Sequence, residues 1–143
     1  MCTPTLPLFL LPCMLNNAQQ FGRESEAAAA RFLERAGYRV VARNWRHPVG
    51  EIDLIAYDGP TLVFIEVKAR RSDRFGPAQA AVTRRKQDQL TKAALAYLSR
   101  RRAAAEPPCR FDLVVVQARP RQAAPQIELL QDIFSPQWGA GRR

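Results

Sequence analysis

The sequence predicts one α/β domain, with a mixed central β-sheet flanked by helices. Three features of the chain point to it. A stretch rich in Ala, Glu and Arg, with helical spacing, precedes the first strand-like segment. Two apolar strands then flank Asp58-Gly59, a dipeptide that favours the tight turn of a β-hairpin. A strand, a long helix and a further strand follow, and a crossover of that length joins parallel strands. The 143 residues suffice for one core and are too few for two.

Taken in order, residues 1–16 form an apolar leader outside the domain. The opening "MCTPTLPLFLLPCML" has no Lys or Arg before Arg23, is broken by Pro4, Pro7 and Pro12, and falls short of the roughly 20 residues that span a bilayer. A translation start at Met14 would account for it, and an intact mass that includes residues 1–13 would exclude that start.

The domain is expected over residues 17–134. Its first helix runs from Asn17 to Ala36 and stops at Gly37, the residue type that best tolerates a left-handed helix end. At 100° per residue, Glu26 shares a face with Ala29, Ala30 and Leu33, whereas Glu24 points nearly the opposite way. Residues 38–45, "YRVVARNW", read as a strand, followed by a turn through His47, Pro48 and Gly50. The hairpin strands cover Glu51 to Tyr57 and Leu62 to Lys68. Residues 70–81 are basic and turn-rich, a loop leading to a helix from Ala81 to Arg102 that places Lys86, Leu90, Ala93, Ala94 and Tyr97 on one face. Pro107 and Pro108 end it. The next strand, Arg110 to Gln117, is continuously apolar in its middle, the pattern of a strand buried on both faces. Residues 127–134 add a last strand or a short turn, and residues 135–143 a frayed tail.

Charge and cysteine content narrow the function classes. Lys and Arg total 22 against 13 Asp and Glu, a formal charge of +9 that suits a polyanionic partner, although charge alone does not choose nucleic acid over a membrane surface. Cys2, Cys13 and Cys109 have no CxxC spacing, and with the single His47 they make no standard zinc site. A reduced, cytoplasmic chain without a membrane anchor is the simplest reading.

The hairpin carries Glu51, Asp53, Glu66 and Lys68 among its Ile and Val residues. An ionised group buried without a partner costs several kcal/mol, so these charges need compensation. Side chains alternate along a strand, which puts Glu51 with Asp53 and Glu66 with Lys68. A four-residue loop at "DGPT" pairs Tyr57 with Leu62 and sets Asp53 opposite Glu66. A two-residue turn keeps both on one side, and only an odd-length loop or a bulge separates them. Opposed Cβ atoms lie roughly 4.5–5.5 Å apart, close enough for two carboxylates to hold one cation. Oxygen-only ligands suit Mg2+ or Mn2+, which can acidify a bound water and polarise a phosphodiester oxygen. Lys68 could then orient that water or stabilise charge on the phosphate, completing the parts of a hydrolytic nuclease. A lone Asp, Glu and Lys at this spacing also recurs by chance on solvent-facing strands.

The segments "GRESEAAAARFLERAGYRVVARNWR", "GEIDLIAYDGPTLVFIEVKAR", "FGPAQAAVTRRKQDQLTKAALAYL" and "CRFDLVVV" together resemble the bacterial YraN-type family of small, largely uncharacterised proteins in the PD-(D/E)XK nuclease superfamily. The resemblance covers about Gly22 to Phe134. It implies a restriction endonuclease-like core, similar to that of archaeal Holliday-junction resolvases, with Mg2+ or Mn2+ as cofactor. By that likeness Asp53 and Glu66 are metal ligands, Lys68 is the catalytic lysine, Glu26 is the helix-borne acid touching the metal or its water, and Glu51 is an auxiliary carboxylate. Ser25 stands where the family often has Gly, and Ala69 where a hydroxyl residue is common. The implied function is a metal-dependent endonuclease acting on nucleic acid, structured or branched DNA in particular, with a homodimer suggested by the resolvases. The alternative is a non-cleaving nucleic-acid-binding module of the same fold, and a further one an interaction protein with an acidic charge network.

Arg70, Arg71, Arg74, Arg84, Arg85 and Lys86 follow the hairpin and could hold phosphates, or be a solvated basic surface. Lys86 lies on the apolar helix face, so its stem snorkels or its ammonium faces the site. Arg39, Arg43 and Arg46 extend the patch or guard an edge strand. Trp45 and Phe75 could stack on bases, with packing the simpler reading. His47 reads as a turn residue, and Asp112 as a structural partner of Arg110.

Overall fold

The computed structural model describes residues 17–71, 76–77, 80, 82–101, 105–119, 121–136 and 138. The leader at 1–16 lies outside these, as do Arg74 and Phe75 and most of the C-terminal tail.

Helix α1 (Asn17–Arg35) buries Ser25, Ala29, Ala30 and Leu33, a stripe of mostly small side chains that lets it lie close on the sheet. Its end is set by Gly37, at φ 93°. The Tyr38 N–H donates to the Leu33 carbonyl at 2.9 Å and the Gly37 N–H to that of Glu34 at 3.1 Å, the paired bonds of a Schellman cap. Ser25, not Glu26, is the fully buried polar residue here, while Glu26 is half-buried and Glu24 exposed.

Strands β1 (Arg39–His47), β2 (Gly50–Asp58) and β3 (Thr61–Arg70) form an antiparallel meander. Tyr57 opposes Leu62, as the longer-loop reading of the hairpin requires, and one more pair, Asp58 with Thr61, closes on a turn at Gly59 and Pro60. Helix α2 (Arg84–Arg100) starts where the Thr83 hydroxyl accepts a bond from the Lys86 N–H at 3.3 Å. It crosses over to β4 (Cys109–Gln117), which runs parallel to β3, and β5 (Gln126–Leu130) completes a sheet ordered β1-β2-β3-β4-β5.

The helices cover opposite faces. Leu54, Ala56, Val63, Ile65, Val114 and Val116 pack beneath α1. Ile52, Ile55, Leu62, Phe64, Phe111, Leu113 and Val115 pack beneath α2 with Leu90, Ala93 and Ala94. Every residue from Phe111 to Val116 is buried, which accounts for the unbroken apolar run in β4. Asp112, the charge inside this buried stretch, is 0% exposed and bound bidentately by Arg110 at 2.8 and 2.9 Å, with the Asp132 N–H donating to it at 2.9 Å. Arg110 also bonds Asp58 at 2.9 Å and Tyr38 at 2.9 Å, so the hub ties β4 to the hairpin end and to the start of β1.

Phe134 stacks on Phe111 at 4.5 Å and Trp138 lies 5.9 Å from the same ring, because apolar rings next to an open core edge gain by covering it. Among the described residues, no helix is long and apolar enough to cross a membrane.

Candidate active site

The regular alternation of β2 breaks at Asp53. Ile52 belongs to the core under α2 and Leu54 to the core under α1, although residues two apart on a strand ordinarily face the same way. On β1 the matching position is Asn44, at φ 49°, between the regular pairs Arg43 with Leu54 and Trp45 with Ile52. Asn is one of the few side chains that occupy this left-handed region readily. The ladder between β2 and β3 runs from Asp58 and Thr61 to Leu54 and Ile65. One residue further, the Asp53 carboxylate accepts a hydrogen bond from the Val67 N–H at 2.8 Å. A side chain thus takes the place of a ladder carbonyl, and the carboxylate is fixed against the backbone between Glu66 and Lys68.

Glu66 is 4% exposed and projects on the same side as Phe64, under α2. Two ammonium groups compensate it. Lys68 Nζ stands 3.2 Å and Lys86 Nζ 3.4 Å from the same oxygen, Glu66 Oε1. Lys86 comes from the first turn of α2, and of the two alternatives its sequence position left, the ammonium faces the site, with Glu66 as its partner.

Burial, then the charges of Glu66 and Glu26, push the Asp53 carboxyl up to about 7, against the Val67 hydrogen bond and Lys86, which lower it. Glu26 acts on Asp53 from the α1 layer and Lys86 from the α2 layer. The opening of the sheet at Asp53 is what exposes one carboxylate to both layers.

Whether these groups suit a cation follows from the donor set. Crowded carboxylates, one held far above its ordinary value of 3.8, are favoured by added positive charge. Among the described residues, no three His, Cys, Asp or Glu side chains form a metal-holding group, so Glu26 and Glu51 do not join Asp53 and Glu66 in a protein-only cage. Two carboxylates with no nitrogen or sulfur ligand fit a hard, partly hydrated ion such as Mg2+ or Mn2+ and do not fit zinc. Glu51 is exposed and pairs with Arg46 at 3.9 Å.

The basic residues scatter more widely than their sequence run. Arg70 donates to the Gly76 carbonyl at 2.6 Å. Arg71 is held by Asn17 at 2.9 and 3.1 Å and lies 4.6 Å from the centre of the Phe21 ring, beside the N-terminal end of α1. Arg84 and Arg85 are exposed on α2, and Arg74 lies outside the described residues. Arg39 stacks over Tyr57 at 4.8 Å. Trp45 packs edge-on to Tyr97 and stacks on His47, both with ring centres 5.6 Å apart, and the His47 ring accepts from the Val49 N–H at 3.3 Å, a turn role.

One lining residue went unread in the sequence. Arg23 is three residues, just under one helical turn, before Glu26 and borders with it a cleft of about 630 Å3 between α1 and the β1–β2 pair. Its spacing from Glu26 was a signal, but only the packing of β1 across α1 makes it the wall of a cleft.

Comparison with known proteins places this chain beside others of similar length. The model of a family described as "Uncharacterised protein family UPF0102" matches residues 25–116. A UPF0102 protein of Desulfosudis oleivorans is 48% identical over 121 residues, covering 85% of this chain and 94% of that protein. One from Symbiobacterium thermophilum is 47% identical over 117 residues, 82% of this chain and 98% of its own length. One from Pseudomonas syringae is 46% identical over 107 residues, 75% and 87% of the two chains.

Proposed function

From a chain that belongs to the UPF0102 family, whose relatives carry names that state no activity, we propose on the geometry of the site a metal-dependent endonuclease. The observation that carries the reading is the convergence of Asp53, Glu66, Lys68 and Lys86 where β2 parts from β3, with Glu26 acting on Asp53 from the other layer. The restriction endonuclease-like character of the core and the choice of nucleic acid as substrate belong to the same proposal.

Asp53 and Glu66 would hold Mg2+ or Mn2+, which supplies an acidified water and polarises a phosphodiester oxygen. The residues of the chain do the rest. The Val67 N–H fixes the Asp53 carboxylate in one orientation. Lys86 holds Glu66, leaving the more exposed Lys68 to turn toward a phosphate oxygen and stabilise the charge that builds on it. Glu26, half-buried at the edge of the cleft, would accept a proton from water. The net positive charge draws the polyanion in, structured or branched DNA being the preferred class.

Incubation with single-stranded, duplex, flap and four-way-junction DNA, with and without Mg2+ or Mn2+, tests this. Metal-dependent cutting that disappears in Asp53→Ala supports it, and cutting that survives that change removes the site from consideration. A non-cleaving nucleic-acid-binding module is the second reading. It is favoured by the two lysines that already neutralise Glu66, and salt-sensitive binding without cleavage in any metal would establish it.

A further inference from the structure

We propose that the cleft between α1 and the β1–β2 pair seats the phosphates that flank the reacting bond, and that the bound strand crosses α1 over Gly22 to reach Arg70 and Arg71. The proposal rests on the nuclease reading for the class of its ligand, the phosphodiester backbone of a nucleic acid.

The cleft is bordered by Arg23, Arg43 and Arg46, with Glu26 and Asn44 between them. Three guanidinium groups against one carboxylate leave it positive. Glu26 stands in its wall and is also one of the charges acting on Asp53, so the cleft opens beside the acidic centre. Two of the arginines have only weak calls on their charge. Arg43 lies 3.4 Å from Glu34 and Arg46 3.9 Å from Glu51, and all four side chains are at least half exposed. Exposed pairs of this kind hold little energy and exchange readily for a phosphate, which a guanidinium can grip with two parallel bonds. Arg23 makes no ion pair among the described residues.

Gly22 supplies the second observation. It borders this cleft and also a smaller one, of about 400 Å3, walled by Phe21, Ala69, Arg70 and Arg71. It lies inside α1, where Gly costs about 1 kcal/mol relative to Ala. A Cβ built there meets nothing within 4 Å, so neither close packing nor backbone strain accounts for the glycine. A large side chain at that point would project into the space joining the two basic clefts. With no side chain there, Gly22 is an open border shared by the cleft of Arg43 and Arg46 and that of Arg71, whose guanidinium is already fixed by Asn17 and Phe21.

The test is fluorescence anisotropy without added metal, using a short labelled DNA strand and its RNA counterpart over a salt series. For whichever strand the protein binds, the triple change Arg23→Gln, Arg43→Gln, Arg46→Gln is expected to weaken affinity at least about tenfold and to flatten the log–log salt slope by about two. Gly22→Trp is expected to weaken binding similarly, whereas Gly22→Ala raises the melting temperature and falls between the wild type and Gly22→Trp in affinity. Should the triple variant melt early, Arg23→Gln alone carries the test, with a slope change of about 0.7. Wild-type affinity and slope in the arginine variants overturn the proposal and leave the nuclease reading standing. Equal binding by Gly22→Trp and Gly22→Ala overturns the path over α1. A wild-type protein that binds neither strand overturns the proposal, and cleavage of duplex, flap and junction DNA then decides the nuclease reading separately.

Discussion

The carboxylate of Asp53 accepts a hydrogen bond from the Val67 N–H at 2.8 Å, one residue beyond the last regular pair of the hairpin. That single contact parts two strands and still keeps their charged residues together. It turns a side chain of β2 into the terminator of the ladder, and it aims Glu66 and Lys68, on either side of Val67, at the space beside it.

Loss of Lys68 should be felt in turnover and hardly in stability. Its side chain is 34% exposed, and Lys86 remains on Glu66 when it is gone. Lys68→Ala is expected to lower the rate of metal-dependent cleavage by about 10²–10³-fold, the range found for removing one transition-state charge stabiliser. Single-turnover cleavage beside a thermal melt checks it, and a rate within a factor of a few of wild type would take Lys68 out of the chemistry.

Stability should fall as pH rises from 3.8 to about 7. The Asp53 carboxyl is raised from 3.8 to about 7, so between these values the folded state binds more protons than the unfolded one. Unfolding free energy therefore decreases with rising pH across that window, by a few kcal/mol at most, and levels off above it. Asp53→Asn is expected to flatten the dependence. Added Mg2+ should raise the melting temperature at pH 8 and leave it unchanged at pH 5, where the carboxyl is protonated. A metal effect of equal size at both pH values would contradict the assignment.

Lys86→Met keeps the length of the side chain and removes its charge. Glu66 then relies on Lys68 alone, at a cost of about 1–3 kcal/mol for one lost contact to a buried charge. Because Lys86 also lowers the Asp53 value, the same variant should shift the Asp53 titration further upward. Urea unfolding and carboxyl-resolved NMR titration read the two effects separately. A residue that only decorated a basic surface would move neither.

Asp112 makes a contrasting case. It is fully buried, yet its partners are Arg110, the Tyr38 hydroxyl and the Asp132 N–H, none of which lines the cleft. Asp112→Ala removes the bidentate partner of Arg110, which keeps Asp58, and is expected to cost about 1–3 kcal/mol in urea unfolding. At a temperature where the variant is folded, its affinity for nucleic acid should equal that of the wild type.

Much of the fold could be read from the chain because local signals and burial agree there. Gly37 ends α1, the Asp58-Gly59 pair precedes the hairpin turn, Pro107 and Pro108 stand between α2 and β4, and the apolar run from Leu113 to Val116 marks a strand buried on both faces. The sequence is least legible where a distant contact decides. Trp138 has polar and proline-containing neighbours that look like a tail, and its ring lies beside Phe111, 27 residues upstream in sequence. Lys86 sits in a run of basic residues, and only the approach of α2 to β3 identifies Glu66 as its partner.

The sequence by itself determined which charges are costly: Asp53, Glu66 and Lys68 lie on apolar strands, and the parity of strand and turn keeps them together. It also determined that Glu26 leaves its helix on the side away from Glu24. Only the tertiary structure decided that β2 parts from β3 at Asp53, that Asn44 across from it takes a left-handed conformation, and that Lys86 and Glu26 arrive from opposite layers. The physical reason is one of range. Alternation and helical spacing are set by neighbours along the chain, whereas a break in a ladder is set by which packing of both faces costs least, and that is known only once both helices are in place.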